Sequence, residues 1–366
     1  MNNGSKGAAK MTAGLDLGDK YGHLCLIETE SGEVIEEGRL RTTPEAIRRR
    51  FDSEQPLRIA IEVGTHSPWV SRLLEECGHQ VLVANARKLH LIYANKRKSD
   101  KLDAENLARL ARVDPKLLYP LEHRSEQSQA HLALLHSREV LVRSRTQLIN
   151  HVRGTVKSFG HRLPKCSACS FHDKVADGIP ELLREALEPI LKTIASLSAR
   201  IRDYERKLET LAQEHYPETE LLRQVQGVGA LSALAFVLTL EDPDRFEQSR
   251  TVGAYLGLVP SKDQSGEHDP QRHISGEGDE MLRRLLVGSA HYILGPFARD
   301  SDLRRHGMKI AERGGKNAKK RAVVAVARKL SVVLHHLWVS EEVYDPLYNA
   351  RRQLEGVSYP FVKAVS

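Results

Sequence analysis

Four carboxylates carry the clearest chemistry in the chain. Asp16 lies in Gly14-Leu15-Asp16-Leu17-Gly18, and Glu62 ends the apolar run Leu57-Arg58-Ile59-Ala60-Ile61. Asp100 and Asp103 stand three apart at the start of a helical pattern, so both face one side of it. Gathered carboxylates repel one another unless a cation neutralises them, and hard oxygen donors favour Mg²⁺ or Mn²⁺. Two such ions about 4 Å apart would hold the attacking and leaving oxygens of a phosphodiester. A net charge of +7 and a pI of about 9.1 favour a polyanionic partner of that kind. Taken singly, an acid such as Asp103 reads as a solvated surface charge; Asp16 and Glu62 are harder to dismiss because each interrupts or ends an apolar strand.

The elements that must position these acids are legible from patterning. Three short strands are predicted at 13–18, 23–28 and 33–41, joined by tight turns, one of them Ser31-Gly32. A helix follows Thr43-Pro44, then a strand over 57–63, a helix over 68–77 closed by Gly78, and a strand over 80–84. The next helix, 99–112, has Ser99 as N-cap and Asp114-Pro115 as its stop. Three strands, helix, strand, helix, strand, helix is the order of an α/β ribonuclease H-like (RuvC-like) domain. That fold sets strand four beside strand one, so Asp16 and Glu62 become neighbours with Asp100 and Asp103 facing them.

Beyond it the pattern turns helical and basic. Leu135, Val142, Ile149 and Val156 recur every seven residues, among Arg138, Arg143, Arg145, Arg153 and Lys157. From Leu183 to Leu211 apolar residues alternate in steps of four and three, an a/d seam about four heptads long. This predicts a coiled coil, formed either with the preceding helix of the same chain or with a second copy. The expected organisation is a disordered N-terminus (1–11), a RuvC-like domain (12–125), an α-helical coiled-coil insertion (126–217), a mainly α-helical C-terminal domain (218–350) and a tail (351–366).

Composition narrows the class. With 40% hydrophobic and 28% charged residues the chain is an ordinary folding composition. Met1–Lys10 has no apolar signal core, and no apolar run approaches a bilayer span, so a cytoplasmic protein without a membrane partner is expected. Cys166 and Cys169 form a CxxC flanked by His161 and His172, the donor types of a zinc site. A lone CxxC is more often a polar connector.

Three further segments could serve nucleic acid. Gln226-Gly227-Val228-Gly229, ahead of an apolar helix, reads as a helix-hairpin-helix turn whose free N–H groups hold a phosphate; otherwise it is a tight helix–helix turn. Gly257 to Gly266 stops an apolar helix at Pro260 and presents Ser261 and Ser265, with Ser275 beyond. A serine nucleophile needs activation and nearby cations, for which Arg272, His273, Arg283 and Arg284 are available; on spacing alone Ser265 is a turn serine. Residues 303–329 are densely basic, including Lys316, Lys319, Lys320 and Arg321, with Glu312 opposing them and Asp302 at the edge. That one-sidedness points to nucleic-acid backbone. Lys96-Arg97-Lys98, just before the Asp100 helix, could grip phosphates beside the metals.

In order, Gly14-Leu-Asp-Leu-Gly18, Ile61-Glu-Val-Gly64, Lys98-Ser-Asp-Lys-Leu-Asp-Ala104, Gly227-Val-Gly229, Gly257-Leu-Val-Pro260, Ser265-Gly266 and Leu282-Arg-Arg-Leu-Leu286 span about residues 12 to 335. The chain resembles the DEDD-type insertion-sequence transposases, also called bridge-RNA-guided recombinases. The resemblance implies that Asp16, Glu62, Asp100 and Asp103 bind Mg²⁺ (or Mn²⁺) and that Ser265 is a nucleophile forming a phosphoserine intermediate. It also implies a homo-oligomer (dimer or tetramer) in which one protomer's metal site works with another's serine domain, and a noncoding bridge RNA that pairs with donor and target DNA. From their charge and the glycine turn, Lys96, Arg97, Lys98, Arg145, Arg153, Gly227, Gly229, Arg283, Arg284, Lys316, Lys319, Lys320 and Arg321 are expected at nucleic acid. One departure stands out: Ser265-Gly266 is followed by Glu267, His268 and Asp269, and Ile274-Ser275-Gly276-Glu277 lacks the family's lysine, which keeps Ser261 as a reserve nucleophile. The competing readings are a RuvC-like structure-specific nuclease with no serine step, an actin-like sugar or acetate kinase, and a non-catalytic nucleic-acid-binding protein. The kinase would need a second DxG hairpin that the sequence lacks, and the binding protein leaves the four acids unexplained.

Overall fold

The computed structural model describes residues 9–52, 55–89, 99–261 and 273–354, and the chain falls into two compact units, residues 1–125 and 126–366. In the first unit a five-stranded sheet has the order β3-β2-β1-β4-β5. Strands β1 (Met11–Asp16), β2 (Tyr21–Glu28) and β3 (Val34–Arg41) form the antiparallel meander, while β4 (Arg58–Glu62) and β5 (Gln80–Ala84) run parallel to β1. This mixed sheet is consistent with a ribonuclease H-like fold, and strand four does lie beside strand one, with Leu15 opposite Ile61. β3 is an exposed edge guarded by Glu36, Glu37, Arg39 and Arg41.

Side-chain alternation sorts the two faces of the sheet. Ala13, Leu15, Ile59 and Ile61 join Ile47 and Phe51 of α1 (Pro44–Phe51) and Val70, Leu73 and Leu74 of α2 (Ser67–Glu76) in one core. Gly14, Cys25, Ala60 and Ala84 point the other way, to α3 (Asp100–Val113), which contributes Ala104, Leu107, Ala108 and Ala111. Small residues on that face let the helix lie close to the sheet. At Gly14 a Cβ would come within 2.0 Å of the Ala104 carbonyl oxygen, so only glycine fits there.

The second unit is helical. α4 (Glu126–Ser158) and α5 (Arg184–His215) run antiparallel as a long hairpin. At its far end Ile149, Val152 and Val156 pack on Leu187, Leu191 and Ile194; at its base Leu132 and Leu135 join Leu208 and Leu211. The predicted a/d seam therefore packs within the chain, against α4.

The apolar core is continuous across 217. The base of the hairpin shares one core with α6 (Ala230–Leu240), α7 (Glu280–Leu294) and α9 (Ala318–Ser340), through Leu234, Leu282 and Leu330 among others, and α8 (Asp302–Glu312) adds Leu303. Pro217 marks a surface turn in this core. α9 is, by length and composition, apolar enough to cross a membrane, contrary to expectation; 56% of that apolar window is buried inside the unit, as in a core helix.

Candidate active site

Asp16 is the last residue of β1, and the β1/β4 register brings Glu62 to the same end of the neighbouring strand. Because Asp16 follows Gly14, and Glu62 follows Ala60, by two positions, both lie on the face covered by α3. Asp100 opens that helix and Asp103 stands one turn further. Ser99 is the N-cap, its Oγ accepting from Leu102 N at 3.3 Å while its carbonyl accepts from Asp103 N at 3.0 Å. The helix N-terminus favours acids in its first turn, which offsets part of their repulsion.

The electrostatics show the convergence. Burial, and then the charges of Asp100, Asp103 and Glu62 in that order, push the Asp16 carboxyl up to about 6, with His23 acting weakly against them. Asp103 is 8% exposed, whereas Asp100 reaches towards solvent. The acids are gathered as charges rather than closed as a cage: among the described residues no group of three or more His, Cys, Asp or Glu is tight enough to hold a metal ion.

Two histidines at the rim escaped sequence reasoning. His23 pairs with Asp16 across the β1/β2 hairpin, and its Nδ1 lies 3.7 Å from Asp100 Oδ2. His66 Nε2 is 3.8 Å from Asp19 Oδ1, while its Nδ1 accepts from Trp69 Nε1 at 3.1 Å. The signal that could have found His23 is the tight turn at 17–20, which fixes the hairpin register.

In the second unit Gly227 takes φ +91 and Gly229 caps α6, so a tight turn leads into that helix. Ser265 lies outside the described residues, as do Lys96, Arg97 and Lys98. The neck of the serine loop is described: Ser261 N donates to His273 O at 2.9 Å and Ser275 N to Val259 O at 2.8 Å. Gly257, at φ +67, lets the chain pass so close that a Cβ would sit 2.2 Å from Glu277 O. Arg283 clamps this neck by donating to the carbonyls of Leu256 (3.1 Å) and Glu277.

Several arginines expected at nucleic acid have work inside the unit. Arg284 pairs with Glu139 at 3.0 Å, Arg145 donates to the buried Ser198 Oγ at 3.2 Å, and Arg153 donates to Pro164 O at 3.0 Å. Lys316, Lys319, Lys320 and Arg321 are exposed, Arg321 reaching Gly314 O at 3.4 Å. The CxxC thiols meet guanidinium groups: Cys166 faces Arg153 at 3.7 Å, and Cys169 faces Arg202 at 3.3 Å.

Two family models match the chain in sequence order. A family model described as "Transposase" matches residues 13–160, the sheet unit and α4. A second, described as "Transposase IS116/IS110/IS902 family", matches residues 219–300, from α6 through the serine-loop neck to α7. The chain is 30% identical over 261 residues to the transposase for insertion sequence element IS1111A of Coxiella burnetii, covering 69% of this chain and 70% of the relative. It is 26% identical over 280 residues to the transposase for insertion sequence element IS1328 of Yersinia enterocolitica, covering 76% of this chain and 82% of that one. With both its sheet unit and its helical core matched in sequence order, the chain belongs to the IS116/IS110/IS902 family of transposases.

Proposed function

We propose that this transposase is an RNA-guided DNA recombinase that cuts and rejoins DNA at the ends of its insertion element. Asp16, Glu62, Asp100 and Asp103 are its divalent-cation ligands, and Ser265 is its nucleophile. The observation that carries the reading is the position of Asp16 and Glu62 at the same end of neighbouring strands, under the helix that opens with Asp100 and Asp103, where burial and the acids' charges raise the Asp16 carboxyl. Such a cluster is unfavourable without a countercharge, and its donors are all hard oxygens, the set that suits Mg²⁺ or Mn²⁺. When bound, the cation would supply charge neutralisation at the scissile phosphate.

The chain's own residues do the rest. Ser265 Oγ attacks phosphorus, giving up its proton; the bond to the leaving strand breaks, and that strand's oxygen is protonated. The resulting phosphoserine ester keeps the energy of the phosphodiester until the hydroxyl of another strand attacks and frees the serine. The neck built by Gly257 and Arg283 supports this role, since it anchors both ends of the loop in the helical core. A bridge RNA paired with donor and target DNA would choose the sites, and a homo-oligomer, dimer or tetramer, would bring the metal unit of one protomer to the serine unit of another. Exposed Lys316, Lys319 and Lys320, with the Gly227–Gly229 turn, would hold backbone phosphates.

The test is a denaturing gel with the protein, its element's end RNA, labelled junction DNA and Mg²⁺. A covalent adduct is expected for wild type and lost in Ser265→Ala, in Asp103→Ala and with chelator. Cleaved strands without adduct, unchanged in Ser265→Ala, would replace this reading with a metal-dependent junction nuclease.

A further inference from the structure

α8 and α9 make a second basic hairpin, and its inner surface differs from an ordinary solvated charge run. The two helices touch at Gly307, where a Cβ would sit 2.5 Å from Val326 Cγ2 and 2.6 Å from Leu294 Cδ2. Beside that contact, Asp302, His306, Lys309 and Arg313 follow one another in steps of four, three and four, and so share one face of α8. Lys329, one turn beyond Val326 on α9, comes to the same place: His306 feels the charges of Lys329, Arg313 and Lys309. Four cationic or protonatable side chains thus gather along one seam, His306 and Lys329 half-buried and Lys309 and Arg313 exposed at its rim.

What they lack is a counterion. Among the described residues, the side chains of His306, Lys309, Arg313 and Lys329 make no hydrogen bond or ion pair. Asp302 is the acid among the described residues that acts on Lys329, and its Oδ2 already accepts from Asn349 N at 2.7 Å and Asn349 Nδ2 at 3.1 Å. Glu312 is exposed and one position off the shared face. Elsewhere in this unit some basic side chains of comparable burial are paired, as Arg138 is with Glu205 and Arg304 with the carbonyls of Ile293 and Gly295. Lys329 and His306 are half-buried, and burial pushes both below their ordinary values. A desolvated ammonium with no partner is costly, and its repeated placement against other cations is the arrangement of an anion site awaiting its anion.

We propose that the α8/α9 cleft, with His306, Lys309, Arg313 and Lys329 as donors, is a binding site for a backbone phosphate of nucleic acid. It takes the phosphodiester in sequence-independent fashion and would fix the register of the strand on the helical unit. The inference rests on the nucleic-acid substrate of the proposed function but on none of its chemistry. It adds a half-buried, shaped contact to the exposed lysines of 316–320.

Binding of end-labelled duplex DNA and of a hairpin RNA is measured by fluorescence anisotropy across about 50–300 mM salt, without divalent cation, so that no cleavage occurs. Lys329→Met should weaken binding roughly eightfold at about 0.1 M salt and reduce the slope of log K against log salt by about 1. It should also leave Tm unchanged or raise it, since an uncompensated buried charge is removed. The double variant Lys309→Gln/Arg313→Gln alters two exposed residues that cannot unfold the unit, and should lower the slope by about 2. Loss with DNA alone, RNA alone or both supports the site and names the strand it holds. An unchanged slope in the double variant overturns it, as does a Lys329→Met variant that melts lower and binds with the wild-type slope. A negative adduct gel would leave these slopes untouched, so the two readings fail separately.

Discussion

Asp16 is the residue at which opposing forces are most finely set. Its folded carboxyl is raised to about 6 from an ordinary 3.8, so the fold prefers it neutral. The metal-free sheet unit should therefore lose stability as pH rises from about 4 through 6, with the full penalty present above that window. Asp16→Asn, studied in chelator, is expected to be more stable than wild type by about 1 kcal/mol at pH 7.5, a value discounted for the site's access to solvent, with the gap closing near pH 4. Thermal melts at the two pH values check it, and a gap of the same size at both would refute the repulsion argument. Asp16 and Glu62 were legible in the sequence because each breaks an apolar strand at a position fixed by a two-residue period. His23 would have needed the register that the tight turn at 17–20 sets, and His66 depends on a loop's path, which no local pattern records.

At the scale of elements, the contact that positions the acids is backbone to backbone. Gly14 leaves room for the Ala104 carbonyl, and α3 carries Asp100 and Asp103 at the end nearest Asp16. Gly14→Ala would force the helix outwards, at a cost of about 2 kcal/mol typical of overpacking. A displacement near 1 Å should slow adduct formation about 100-fold while DNA affinity stays near wild type, since no basic residue is touched. Rates from quenched adduct gels, set beside anisotropy titrations, separate the two; a variant that loses binding and rate together would count against a positioning role. The helix itself was readable to within one residue, because Ser99 caps it and Asp114-Pro115 stops it. The seam of α5 was equally readable, but its partner was not: heptad spacing states that a face must be buried and is silent on which chain buries it.

For the whole molecule, the boundary between the two units at 125/126 matches a change of pattern from mixed strands to heptads. The buried core runs on across the expected boundary at 217, and a proline in a polar stretch looks the same whether it links domains or turns a corner on one core. Within the helical unit the long hairpin has two separate apolar clusters, and between them stand polar contacts, Arg138 with Glu205 and Arg145 with Ser198. Hydrogen exchange should show the tip (149–160 and 183–194) opening sub-globally, with protection at least tenfold below that of α6 and α9. Uniform protection along both arms would show the hairpin to be one cooperative piece.

That polar waist has a consequence for how such a protein can change over generations. Because the tip carries its own small core, its stability does not draw on the packing that anchors the serine-loop neck. Matched seven-residue steps could be added to or removed from both arms, or the tip exchanged for another, with the core left intact. The hairpin is in that sense an interchangeable cartridge, free to drift or be refitted while the rest of the helical unit is held fixed by its own contacts.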